Sequence, residues 1–211
     1  QDITGTVLKT CDKHVSRTEL SEVITEFTGD ILQIPPMYSA IKVQGRKLYD
    51  LARSGVEIER SSRPVTIKKL EIIGEEGGDF VLRVVCSKGT YIRTLCHDIG
   101  ARLGTGATLS SLRRTVAGDF SVENAHTIDE IRELFEQGEI DKAILSVDTL
   151  FGEYPSLIIP DWQIKKCLCG NSFETTEADG KYRVYDADGV FLMLGNVEEG
   201  TMSTIKSFFE V

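Results

Sequence analysis

Between Arg63 and Gly104 the spacing of the apolar side chains changes period once, at Gly89, and that change constrains the fold more than any other feature. Arg63 to Ile73 and Phe80 to Cys86 carry β-branched residues around a Glu75 to Asp79 turn, which predicts an antiparallel strand pair. After Gly89, Ile92, Leu95, Cys96, Ile99 and Leu103 recur at helical spacing, and Gly104 closes the run. Both strands and an amphipathic helix are therefore expected in this one stretch.

The flanking segments extend this reading. Ile3 to Leu8 reads as a short strand. Ser16 and Glu19 sit at capping-box spacing ahead of Leu20, Val23, Ile24 and Phe27, so a helix is expected through Glu26, with Gly29 beyond it. The paired prolines of Gln33-Ile34-Pro35-Pro36-Met37-Tyr38 forbid a helix and Gly45 permits a turn; a short amphipathic helix is expected from Arg46 to Arg53, ending at Gly55. Ala107 to Val116 fits a strand or a helix equally. Thr127 to Gln137 predicts an amphipathic helix with Ile128, Ile131, Leu134 and Phe135 inward. A break at Glu153 to Ser156 separates a first region, residues 1–154, from a β-rich module, residues 155–211, with a helix at Trp162 to Leu168 and strands at Tyr182 to Tyr185, Val190 to Leu194 and Thr201 to Phe209. So short a module is marginal alone and is expected to pack on the first region.

Composition narrows the function classes. With 211 residues, 41% of them hydrophobic and 27% charged, disorder, collagen and coiled coil are excluded. No apolar run reaches the roughly 18 residues of a membrane span, and the opening Gln1-Asp2-Ile3 is neither a signal peptide nor a methionine start, so an origin inside a longer gene product is expected. Five cysteines without C-x-x-C pairs and three scattered histidines suggest neither a disulfide framework nor a zinc site, and a reducing cytoplasm is expected. The net charge of −9 hides an asymmetry: residues 35–115 hold 14 Lys and Arg against 8 Asp and Glu, and the remainder holds 10 against 25. Screening confines each patch to roughly 10 Å at 0.1 M salt, so a basic middle can bind a polyanion within an acidic protein.

Two segments could carry chemistry. Cys86-Ser87-Lys88-Gly89-Thr90-Tyr91-Ile92-Arg93 lies where a strand becomes a helix, with Thr90 as the expected cap; Tyr91 and Arg93 project from the first turn, where a guanidinium can pair with a carboxylate or phosphate. A capped helix with a surface arginine accounts for the same residues. Pro35 to Lys42, followed by Arg46, Lys47, Tyr49 and Arg53, interleaves aromatic and basic residues, which suits RNA; a surface loop with its tyrosines tucked inward fits as well. Leu112-Arg113-Arg114-Thr115 adds two positive charges, or else a solvated strand end with Leu112 in the core. Gly104-Thr105-Gly106 follows a helix and lacks a third glycine in register, so it is not a dinucleotide fingerprint. Cys167 and Cys169 read as buried thiols, and no histidine lies near a nucleophile motif. Asp98, five positions beyond Arg93, points away from it.

Three blocks together resemble the TruB family of tRNA pseudouridine-55 synthases: Gln33 to Tyr49, Cys86 to Leu95, and Leu112 to Thr115 with Ala117-Gly118 and Phe120. The resemblance implies an α+β pseudouridine synthase fold, present in part, with a mixed or antiparallel central sheet and flanking helices, a thumb-like RNA-binding insertion at about residues 33–60, and a PUA-like C-terminal domain. It implies an isomerase acting on a uridine in the T-loop of tRNA, without cofactor or metal. Arg93 matches the arginine that pairs with the catalytic aspartate, Tyr91 the tyrosine facing the flipped base, and Leu112 the leucine packed against the active site. Lys42, Arg46, Lys47, Lys88, Arg113 and Arg114 become candidate RNA contacts. A full-length member would be a cytoplasmic monomer that binds the tRNA T-arm and no membrane.

The chain departs from that pattern at the nucleophile. The family's Gly-x-Leu-Asp-Pro-x-Ala-x-Gly segment is absent, and Asp2, Asp12, Asp30 and Asp161 lack its Pro-x-Ala context. The upstream stacking tyrosine is missing too. An N-terminally truncated synthase with Arg93 as an orphaned partner is therefore expected, inactive alone and prone to self-association; a non-catalytic RNA-binding protein is the alternative.

Overall fold

A computed structural model describes residues 1–209 as α+β, in two compact units, residues 1–113 and the described residues from 114 onward. Helix α1 (Arg17–Thr25) starts where Ser16 and Glu19 exchange capping-box hydrogen bonds. Strand β1 (Gly29–Gln33) follows, then a helix-free proline segment and the hairpin β2 (Lys42–Val43) and β3 (Arg46–Lys47). Its turn holds Gln44 at φ +50° and Gly45 at φ +80°, the left-handed pair that a tight hairpin requires. Helix α2 (Leu48–Arg53) is shorter than expected, because Arg46 and Lys47 are taken into the hairpin.

Strands β4 (Arg63–Glu76) and β5 (Asp79–Cys86) form the expected antiparallel pair, and β1 joins the free edge of β4 to give the order β1-β4-β5. Helix α3 (Ile92–Leu103) ends at left-handed Gly104. The core lies where α1 and α3 cover the sheet: Leu20, Ile24, Ile67, Leu95 and Ile99 are buried, with Leu70, Ile72, Phe80 and Leu82 packed around them. Arg102 of α3 grips Glu26, the C-cap residue of α1, through two hydrogen bonds of 2.7 and 2.8 Å.

Two expectations in this unit fail. Ile3 to Leu8 is not a strand; it is a turn and then coil, with Leu8 93% exposed, and only Asp2 makes a β-bridge, to Leu109. Alternating side chains make no strand without a partner ladder to take the backbone hydrogen bonds. The Ala107 to Val116 stretch is neither helix nor continuous strand, since only that bridge and the start of the next hairpin are ordered pairs within it.

The second unit begins with the hairpin β6 (Val116–Ala117) and β7 (Phe120–Ser121) and helix α4 (Ile128–Glu136), started by a Thr127–Glu130 capping box. Strands β8 (Ser156–Ile158), β9 (Phe173–Glu174), β10 (Gly180–Tyr185), β11 (Phe191–Glu198) and β12 (Thr201–Ser207) form one sheet in the order β8-β10-β11-β12-β9, antiparallel except for β8 against β10. Helix α5 (Asp161–Leu168) contributes Cys167 to its core, beside Phe173, Val184, Met193, Val197 and Met202. Cys169 is exposed, so of the two cysteines expected to be buried only Cys167 is. The inward face expected for α4 forms only in part: Ile131 and Leu134 are half-buried, whereas Ile128 is 80% and Phe135 71% exposed.

Candidate active site

The junction between β5 and α3 is held at both ends. Ser87 pairs with Thr66 of β4 in both directions: its N–H donates to the Thr66 carbonyl at 2.8 Å, and its Oγ accepts the Thr66 N–H at 3.0 Å. Thr90 does not cap α3; its hydroxyl donates to the Ser87 carbonyl and tightens the loop instead. Tyr91 takes the N-cap position without capping by its side chain, so Arg93 falls in the first helical turn.

Arg93 has two partners among these residues. Its Nη1 donates to Asp2 Oδ2 at 3.1 Å, and its Nη2 to the Tyr38 carbonyl at 2.9 Å, with both the Arg93 and Asp2 side chains about 30% exposed. The pair joins residues 91 positions apart, and Asp2 is placed by its backbone: Ile3 N–H donates to the Leu109 carbonyl, and Leu109 N–H to the Gln1 carbonyl. The Asp2 carboxyl is held below its ordinary pKa, first by the Thr4 hydroxyl and next by Arg93. Asp98 makes no ion pair with Arg93, as expected from its position, and partial burial raises its pKa. Asp2 is the residue that reading the sequence missed, since it carried no local motif.

The other candidates divide into a cluster and outliers. Lys47 donates to Tyr49 Oη at 2.8 Å and lies over that ring, as does Arg53, while Lys42 and Arg46 stand exposed on the same hairpin. Basic and aromatic groups thus share one surface there, with Tyr49 half-buried and Tyr38 57% exposed rather than tucked inward. Lys88 is exposed on the junction loop beside Tyr91 in sequence. Leu112 is 63% exposed and so not a core residue; it follows by three positions Leu109, which bridges to Asp2. Arg113 and Arg114 are exposed, one at the end of the first unit and the other at the start of the second. Among the described residues no group of three His, Cys, Asp or Glu side chains is arranged to hold a metal, and no helix is long and apolar enough to cross a membrane.

An arginine at a strand-to-helix junction, bound to a carboxylate and to a loop that presents cations and aromatic rings, is an arrangement for handling an anionic, base-bearing polymer. It falls within residues that define a class, the pseudouridylate synthases: residues 1–92 match the TruB family pseudouridylate synthase N-terminal domain, and residues 93–152 the tRNA pseudouridylate synthase B C-terminal domain. Among curated relatives, the tRNA pseudouridine synthase B of Methylobacillus flagellatus is 40% identical over 196 residues, covering 92% of this chain and 65% of the relative. That of Clostridium kluyveri is 37% identical over 213 residues, covering 98% and 72%. The chain belongs to the TruB family, and it spans less than two thirds of the Methylobacillus protein. Its fold is shared with a Cbf5-Nop10-Gar1 complex (TM-score 0.67, 24% identity, 95% of this chain and 63% of that one) and with an H/ACA RNP bound to a substrate RNA containing 2′-deoxyuridine (TM-score 0.66, 22% identity, 95% and 64%).

Proposed function

We propose that this chain is the RNA-gripping and arginine-bearing portion of a cytoplasmic tRNA pseudouridine synthase that acts on a uridine in the T-loop. The carrying observation is the Arg93 guanidinium, fixed between the Asp2 carboxylate and the Tyr38 carbonyl at the end of the loop that leads into the basic hairpin. In the reaction the N1–C1′ bond of the uridine breaks, the base turns, and a C5–C1′ bond forms while the C5 proton is lost and N1 regains one. The atoms balance without oxidant, reductant or metal. Extruding the uridine costs a few kcal/mol, which an apolar and aromatic site offsets.

In this reading Tyr91 faces the extruded base, Leu112 closes the apolar side of the site, and Arg93 orients the nucleophilic aspartate. Lys42, Arg46, Lys47, Lys88, Arg113 and Arg114 bind phosphates. Residues 33–60 act as the thumb, residues 1–154 belong to the catalytic domain, and residues 155–211 form a PUA-like domain. Because no Leu-Asp-Pro segment occurs in these 211 residues, they bind RNA without turning it over when present alone.

The test is a T-arm hairpin labelled with tritium at C5 of the target uridine. The chain should bind it in preference to a scrambled loop, with affinity falling steeply as salt rises because phosphate contacts release counterions, and should release no tritium. Equal affinity for the scrambled loop, or binding insensitive to salt, would overturn the substrate reading. Tritium release would overturn the inactivity.

A further inference from the structure

Gln33 is the last residue of β1, 2% exposed, and its backbone is fixed by pairing with Arg63 of β4. Its side-chain amide makes two bonds to the backbone of one residue far along the chain: Nε2 donates to the Tyr91 carbonyl at 3.1 Å, and Oε1 accepts the Tyr91 N–H at 2.8 Å. The amide fits in only one orientation, since turning it over would set donor against donor and acceptor against acceptor. Side chains that usually start a helix are missing here, because Tyr91 does not cap α3 and the Thr90 hydroxyl is committed to Ser87. Gln33 supplies from the sheet the hold that the helix terminus lacks.

The position of Gln33 in the chain gives that hold a second consequence. Five residues after it comes Tyr38, whose carbonyl is bound by Arg93. The proline loop is therefore tied at both ends to the first turn of α3, at Tyr91 through Gln33 and at Arg93 through Tyr38. The loop that leads to the hairpin is thus bonded to the same turn that carries both candidate site residues.

We infer that Gln33 is a positioning residue for the uridine site, holding Tyr91 and Arg93 in register while RNA engages the neighbouring loop. The inference rests on the tRNA reading above. Asparagine would be one methylene too short to span the same two bonds, glutamate would keep only the bond from the Tyr91 N–H, and methionine would keep the shape and lose both.

The experiment uses the full chain and a T-arm hairpin carrying the fluorescent pyrimidine pyrrolocytidine in place of the target uridine, whose emission rises when the base leaves the stack. Gln33→Met should change hairpin affinity by no more than about twofold, since the phosphate contacts are intact. Its fluorescence rise at saturation should fall by about threefold or more, since the base is no longer held in place. Gln33→Glu should fall between the two proteins and carries the comparison if Gln33→Met does not fold. On the unaltered protein, the Gln33 side-chain amide resonances should shift when the hairpin is added. A full fluorescence rise in either folded variant, or unshifted resonances despite binding, would overturn the role of Gln33 and leave the tRNA reading standing. Absence of hairpin binding by the unaltered chain would overturn the tRNA reading and the role of Gln33 with it.

Discussion

At the scale of single residues, the site depends on pairings that local sequence does not announce. Asp2 and Arg93 meet across 91 positions, and Gln33 and Tyr91 across 58, so no spacing rule connects them. What could be read was residue type at a junction: Arg93 on the first turn of α3 follows from Gly89 and the onset of the apolar stripe. Its partner could not be read, because Asp2 is brought there by the bridge to Leu109. The depressed pKa of Asp2 predicts how the pair titrates. A carboxyl lowered in the folded state contributes stability that is present above its unfolded value, near pH 4, and is lost as the pH falls through the folded value. The Arg93 side-chain N–H resonances should thus hold steady from neutral pH down to about 4 and shift below it; a shift centred near neutral pH would contradict the pairing. Arg93→Ala should cost about 1 kcal/mol or less in urea unfolding, since a partly exposed pair contributes little, while abolishing pseudouridine formation in a full-length synthase. Activity surviving that change would remove Arg93 from the site.

At the scale of elements, the start of α1 was legible, whereas the cap expected for α3 and the start expected for α2 did not form. The Ser16–Glu19 capping box forms as its spacing predicts, because a cap closes within one turn and needs no distant partner. The outcome for α4 was different: its apolar stripe is visible in the sequence, but periodicity says only that a face wants cover and not what covers it. The glycine pattern after α3 is explained by close approach. Gly106 N–H and Thr105 N–H both donate to the Gly100 carbonyl, and a Cβ on Gly100 would lie 2.1 Å from the Ala107 nitrogen. Backbone cannot yield there as a flexible side chain would, so Gly100→Ala should destabilise the first unit by about 1–3 kcal/mol in spite of alanine's better helix propensity. A stabilised variant in thermal unfolding would show that the turn does not press on the helix.

At the scale of the whole molecule, burial is concentrated in two cores, and none of residues 101–158 is buried, all of them being described. Leu112, Val116, Phe120, Ile128, Phe135, Ile144 and Leu145 stand exposed within that stretch. Apolar surface of this kind in a free chain drives association. Sedimentation should therefore show oligomers that grow with protein concentration and persist in high salt, and Ile128→Glu with Phe135→Glu should reduce them; monomers throughout would show that this surface is not adhesive. The same stretch has a consequence for how the protein responds to denaturant. Surface already in contact with water in the native state is not exposed a second time on unfolding, so these residues add little to the area change that sets the urea slope and the heat-capacity increment. Both quantities should therefore be those of a protein considerably shorter than 211 residues.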